Sequence, residues 1–248
     1  MDKKSLQLAS RFSLPPNSKG YCGRDSAPAK FRRCLHSGNC SGVSEELQKF
    51  IVLTPYLKTL SEITGLDFDS YEVVESYWLG NDLLKKAKQK HFNLLLKNFK
   101  AQGVPDWYIK ELRENRPIKF IPIHQFQVFH VGVGKASGTI PHNLDSSNNC
   151  MIRWGRVLSI ENGFATLSLN QLRIEKSRYT LIDNPKTEKF KLDKLLTPNL
   201  KVNDIVAVHW DQIVKILTAF ELYNLSRWTA EVLSTCRPPV FKKKVSTT

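Results

Sequence analysis

The sequence predicts an α+β fold: a mainly helical N-terminal region followed by a small β-barrel with a C-terminal helix. Three observations carry this. Short β-rich runs separated by turn residues fill the stretch from Cys150 to Leu217. Apolar residues recur at helical spacing between Ser44 and Asn115. Capping residues precede several of those helical runs. The chain of 248 residues accordingly divides into a turn-rich segment 1–43, a helical region 44–147 ending in a strand and a linker, the barrel with its helix over 148–236, and a basic tail 237–248 expected to be disordered.

In segment 1–43, Pro15-Pro16-Asn17 and Gly20-Tyr21-Cys22-Gly23 predict ordered turns rather than regular elements. Cys22, Cys34, His36 and Cys40 lie within it and form a candidate zinc set, although no Cys-x-x-Cys pair is present. Ser44 before Glu45 and Glu46 predicts a helix to about Leu53, with Pro55 starting another. Asp69-Ser70 opens a helix in which Tyr71, Val74, Tyr77 and Trp78 share a stripe up to Gly80. Asn81-Asp82 then caps a longer helix whose apolar side carries Leu84, Ala87, His91, Leu95 and Phe99, opposite Lys85, Lys86, Lys90 and Lys97 as a solvated face. A short helix follows from Pro105 to Asn115.

From Gln125 to Val131 the alternation predicts a strand, with His124 and His130 on one face by parity. Two histidines six residues apart on a strand are about 20 Å apart, too far to share a metal, so structural roles are expected for both. Residues 132–149 are read as a linker that leaves Cys150 on a flexible approach.

In the barrel stretch, Asn162-Gly163 joins the runs Gly155–Ile160 and Phe164–Leu169 as a hairpin. A third run spans Leu172 to Ile182, and an insertion follows around Asn184 to Asn199. Ile205 to Trp210 forms the next strand, with Val206, Val208 and Trp210 on one face and Ile205, Ala207 and His209 on the other. Ile213 to Leu217 is the last strand. Five short strands over about 65 residues suit a closed or partly open barrel, because closure removes exposed edges.

The barrel stretch resembles the HypC/HupF-type NiFe-hydrogenase assembly chaperones, which are small OB-like barrels. Cys150-Met151-Ile152-Arg153-Trp154-Gly155-Arg156-Val157 falls on that family's opening motif, with Trp154 in place of its Pro. Lys201-Val202-Asn203-Asp204-Ile205-Val206-Ala207-Val208-His209 falls on its later strand, and Asp211 replaces its Gly. The resemblance covers residues 149–234. It implies an accessory or assembly factor in hydrogenase maturation, with Cys150, His209 and Arg156 binding iron or a partner, and with a HypD-like scaffold and a hydrogenase large-subunit precursor as partners. The family's cysteine follows the initiator Met, whereas Cys150 is internal, so a free-amine role is excluded here.

Composition sets further bounds. The net charge of +14 suggests nucleic acid, but most of the excess lies at the two chain ends. An OB-like nucleic-acid binder is therefore the alternative reading, with Trp154 and Trp210 as stacking residues. A zinc-thiol module or enzyme built on Cys22, Cys34, His36 and Cys40 ranks last. No dinucleotide fingerprint, nucleophile elbow or zinc-protease helix is present, so the sequence favours a non-enzymatic role, although Cys150 and His209 are the residue types of a thiolate and its base. Met1-Asp2-Lys3-Lys4 is followed by no apolar run of signal-peptide or membrane-spanning length, so a cytoplasmic location without a membrane partner is expected. Five cysteines, an odd number, predict free thiols rather than a disulfide framework.

Overall fold

The computed structural model describes residues 2–23, 26–182 and 186–239. The α+β class holds: helices occupy most of the first 150 residues, and antiparallel strands followed by one long helix occupy the rest. Nine residues of the basic tail, 240–248, lie outside the described residues. No helix among the described residues is long and apolar enough to cross a membrane.

The turn-rich reading of residues 1–43 is corrected by two helices, α1 (Lys3–Ser18) and α2 (Ala27–Ser37). Asp2 caps α1 through the Lys4 amide, and Leu6, Leu8, Ala9, Phe12 and Leu14 are buried along it. Pro15 and Pro16 stand in its last turns. There they withhold two amide protons but keep helical φ, so apolar burial of the whole helix outweighs the local signal. At the end of α2, Cys34 and Cys40 are joined by a disulfide, which corrects the expectation of free thiols at these two positions. An odd count argues against a framework of bridges; it does not speak to one local bridge between residues whose Cα atoms lie 4.2 Å apart.

Helices α3 (Val43–Leu47), α4 (Leu53–Thr64) and α5 (Tyr71–Trp78) follow, the last capped by Ser70 as its sequence predicts. The first of them ends well before Leu53. The predicted long helix after Asn81 is instead broken. Two 3₁₀ turns, Asp82–Lys86 and Gln89–His91, precede α6 (Phe92–Ala101). Its cause is local: Ala87 and Lys88 are extended, and the His91 ring accepts the Lys88 amide at 3.1 Å, restarting the chain with a new cap. Helix α7 (Asp106–Glu114) is where the sequence put it.

The predicted strand at 125–131 is helical: α8 (His124–Phe126) runs into a π-helical turn, Gln127–Gly132. Every residue from Gln125 to Phe129 is buried, so no exposed face exists to set a period, and a wound segment satisfies its own amides where a strand would need a neighbour. The linker reading of 142–149 is likewise corrected by α9 (Leu144–Cys150). Asn143 caps it, accepting the Ser146 amide at 2.8 Å while Ser146 Oγ accepts the Asn143 amide at 3.0 Å.

Seven strands follow among the described residues: β1 (Arg153–Glu161), β2 (Phe164–Leu169), β3 (Leu172–Glu175), β4 (Arg178–Leu181), β5 (Lys186–Lys191), β6 (Ile205–His209) and β7 (Gln212–Ile216). The third predicted run is thus a hairpin, turned at Lys176 and Ser177 with positive φ, and the predicted insertion contains β5. The hairpin at Asn162-Gly163 forms as expected, both residues having the positive φ of a two-residue turn. The sheet order is β5-β2-β1-β6-β7, antiparallel throughout, with β3-β4 as a separate pair. No closed barrel is formed among the described residues. Even so, Phe190 of β5 and Ile213 of β7, on opposite edges, join Val157, Leu167, Val206 and Val208 in one small apolar cluster.

The opposite face of the sheet packs on the helices. Ala207, Trp210 and Val214 belong to the main core together with Phe12, Tyr77, Trp78, Phe126 and Trp228 of the final helix α10 (Ala219–Thr235). Trp210 therefore leaves the Val206/Val208 face on which alternation placed it. It adopts positive φ in the β6–β7 turn and packs on Tyr21, with ring centroids 4.6 Å apart.

Candidate metal centre

Cys150 and His209, far apart in the chain, are brought together by strand register. Arg153 pairs with Val208, so β6 carries His209 past the start of β1 to the residues that precede it. The Trp210 amide donates to the Asn149 carbonyl at 2.7 Å and fixes this end. Buried Gln125 then splints the chain after Cys150: its amide donates to the Ile152 carbonyl at 2.9 Å and its oxygen accepts the Ile152 amide at 3.1 Å. His124, one residue earlier, is thereby set against Cys150.

The ligand atoms of His124, Cys150 and His209 all lie within 4.8 Å of one another. Cys150 Sγ is 3.9 Å from His124 Nε2. Donors on a tetrahedral ion with bonds of about 2.0 to 2.3 Å lie about 3.5 Å apart, so the widest of these separations needs to contract by about 1.3 Å at most. His124 was expected to be structural on strand parity; its helical placement overturns that argument. His130, the other residue of that pair, packs on Phe126 and Phe92 instead.

The orientation of each ring follows from its partners. His209 Nδ1 lies 2.7 Å from the Phe12 carbonyl, which only accepts, so Nδ1 carries the proton and Nε2 holds a lone pair. That carbonyl is available because its intrahelical partner would be the amide of Pro16, which has no proton. The double proline inside α1 thus has a consequence at the site: it frees a backbone acceptor that sets the tautomer of a histidine contributed by the sheet. His209 Nε2 is buried without a hydrogen-bond partner. The His124 Nε2 lies 2.9 Å from the Cys150 carbonyl, and its Nδ1 lies 3.1 Å from the Tyr77 hydroxyl. Ligation by Nε2 needs the other tautomer, and Tyr77 serves both because a phenol donates and accepts.

Burial sets the charge state. Burial pushes the Cys150 thiol well above its ordinary value, with Cys22 adding in the same direction. Burial lowers the His124 imidazole to about 4, against the opposing Cys150 carbonyl. His209 is held well below its ordinary value by burial first and by His124 next, although the Phe12 and Cys150 carbonyls favour a protonated ring. A thiol and two neutral imidazoles therefore face one another, with no fixed charge to make a thiolate–imidazolium pair. The arrangement does not prepare a nucleophile. It does present three neutral donors suited to a borderline or soft cation, whose own charge would invert the preference of the thiol.

The cluster opens on a cavity of about 620 Å³, lined also by Tyr21, Cys22, Trp78, Gln127 and Trp210. Trp78 Nε1, Gln127 Oε1 and Trp210 Nε1 are, like His209 Nε2, buried polar atoms without a partner.

The other candidate residues separate from this group. Arg156 is exposed on β1, where its guanidinium donates to the Asn203 carbonyl, and it does not line the cavity. Cys34 and Cys40 are bonded to each other, and His36 is exposed on the last turn of α2, so the four-residue zinc set is not assembled. Only Cys22 of that set reaches the cavity. Trp154 is half-buried and Trp210 is buried against Tyr21, so neither is an exposed stacking platform. Sequence reasoning missed His124 as a donor, because no local signal ties it to Cys150, 26 residues later in the chain.

A family model described as a family of unknown function (DUF6390) matches residues 1–242, so the chain belongs to that family. No curated protein and no solved structure matches the chain.

Proposed function

We propose that this chain holds a metal ion through Cys150, His209 and His124 and acts as an accessory or assembly factor in NiFe-hydrogenase maturation, with iron as its cargo. One observation carries the reading. Two of the three residues singled out by the HypC/HupF resemblance, Cys150 and His209, meet in one cavity, and His209 points a buried, unpartnered lone pair into it. The donor set fits the group: a thiol and two imidazoles suit iron or zinc and do not suit magnesium or calcium, which take oxygen. Phe12 and Tyr77 act as the outer partners that orient the two rings.

On this reading the curled five-stranded sheet is the counterpart of the family's OB-like barrel, and the N-terminal helices supply the half of the metal site that a lone barrel lacks. Arg156, exposed beside Leu158, serves to dock a partner. A HypD-like scaffold and a hydrogenase large-subunit precursor are the proposed partners, in the cytoplasm. Nucleic-acid binding ranks below this, since its two proposed stacking residues are not presented to solvent.

Anaerobic equilibrium dialysis of the full chain against ferrous ion tests the proposal, with co-purification of the two maturation partners as the second readout. About one iron per chain is expected, lost in Cys150→Ala and in His209→Ala, while Arg156→Ala keeps iron and loses the partner. Iron uptake indifferent to both cavity substitutions would remove the site, and partner capture indifferent to Arg156 would remove the docking role.

A further inference from the structure

A divalent ion bound by Cys150, His124 and His209 would carry one thiolate and so leave one positive charge inside the protein. Buried charge of this kind is costly unless it is compensated. The described residues lining the cavity include no Asp or Glu. Lys49, the one charged side chain among those described residues, is cationic and is already paired with Glu46. The Tyr77 hydroxyl is engaged with His124. A second thiol, Cys22, remains.

We propose that Cys22 supplies a second thiolate, so that a divalent ion is held by Cys22, Cys150, His124 and His209 as a charge-neutral, four-donor centre. This rests on the metal-binding reading above and extends its ligand set. Cys22 opens onto the same cavity as the other three. Its side chain is exposed and lines that cavity.

The backbone that carries Cys22 is tied to the end of α1, the helix that orients His209. The Tyr21 amide donates to the Pro16 carbonyl at 2.9 Å, and Asn17 Nδ2 donates to the Cys22 carbonyl at 2.6 Å. Thr139 Oγ1 donates to the Tyr21 carbonyl from across the cavity mouth at 3.0 Å. Gly23, with positive φ, sits so close to the Phe50 ring that a Cβ there would fall 2.5 Å from it. The Cys22 side chain is thus the adjustable part of a held turn. It stands outside the cluster of three and is drawn in by rotation when the ion enters. Independently of any cysteine, the buried Nε2 of His209 marks the cavity as a place where a donor waits for a partner. Binding breaks two S–H bonds and forms two metal–sulfur bonds; both protons leave to solvent and no electrons are transferred. Two thiolates and two imidazoles are the donor set of tetrahedral zinc, and cobalt(II) reports on the same geometry.

The test is titration of the full chain with cobalt(II) under anaerobic conditions, reading the thiolate-to-cobalt charge-transfer band and the Kd. Wild type is expected to show an intensity per bound cobalt that corresponds to two thiolates. Cys22→Ser halves it and weakens binding at least about tenfold, because losing a direct ligand costs no less than losing an outer partner. Cys236→Ser, buried away from the cavity, changes neither. Cys22→Ser matching wild type, with Cys150→Ser losing the ion, would overturn the second thiolate and leave the three-donor site standing. Wild-type intensity of a single thiolate overturns it without any variant. Failure of wild type to bind cobalt at all would sink both this inference and the metal reading beneath it.

Discussion

Neutral burial of His124 makes a quantitative prediction about acid. In the unfolded chain its imidazole titrates near 6.5, and in the folded protein burial lowers it to about 4. Between those values the unfolded state binds a proton that the folded state does not, so stability is intact above about pH 6.5 and falls as pH drops towards 4. From pH 7.5 to 5.0 this one group removes about 2 kcal/mol, and below pH 4 the loss levels off at about 3 kcal/mol. The perturbation is His124→Gln, which keeps a polar side chain and removes the titration. Urea unfolding at pH 7.5 and pH 5.0 measures it, and only the difference between the two pH values is compared. The substitution also breaks the bonds to Tyr77 and the Cys150 carbonyl, but that cost is common to both pH values and cancels. His209 reinforces the effect, since His124 helps hold its imidazole down and loses that influence in the variant. The variant should therefore lose at least about 2 kcal/mol less than wild type over this interval. Equal pH slopes in wild type and variant would refute the buried, neutral assignment and the site built on it.

Two further outcomes follow from the geometry. Pro16→Ala restores an amide proton that competes for the Phe12 carbonyl, so His209 should shift away from the Nδ1–H tautomer in long-range proton–nitrogen correlation spectra. Iron affinity should drop by about 10- to 100-fold, the usual cost of losing an outer-shell partner, while stability is kept; an unchanged tautomer would show that the proline does not act through this carbonyl. Replacing Cys34 and Cys40 together by Ser opens a short loop, so chemical denaturation should show a loss of about 2 kcal/mol on the chain-entropy estimate, with metal binding unaltered; weakened binding would return these residues to the site.

Local chemistry in the sequence was enough for elements that carry their own punctuation. Asn162-Gly163 sets its hairpin through two positive φ angles, Ser70 sets the start of α5, and the alternation of β6 places His209 on the side of Ala207, away from Val206 and Val208. The resemblance in turn brought Cys150 and His209 forward as a pair. Sequence alone could not fix the conformation of segments buried on all sides. Residues 125–129 are buried on all sides, so their alternation carried no period, and α1 is held by burial that overrides Pro15 and Pro16. The third donor was hidden for the same reason, because His124 reaches Cys150 only after a π-helical turn, a buried Gln125 splint and the β1–β6 register have all been fixed. Likewise, Cys22 parts from Cys34 and Cys40 only once tertiary packing closes a local disulfide at one end of α2 and seats the turn before it over the cavity. Residue types and local turns are encoded by neighbours in sequence; which donors share one volume is decided by long-range packing, where backbone groups from helix and sheet, the Phe12 carbonyl above all, orient the side chains.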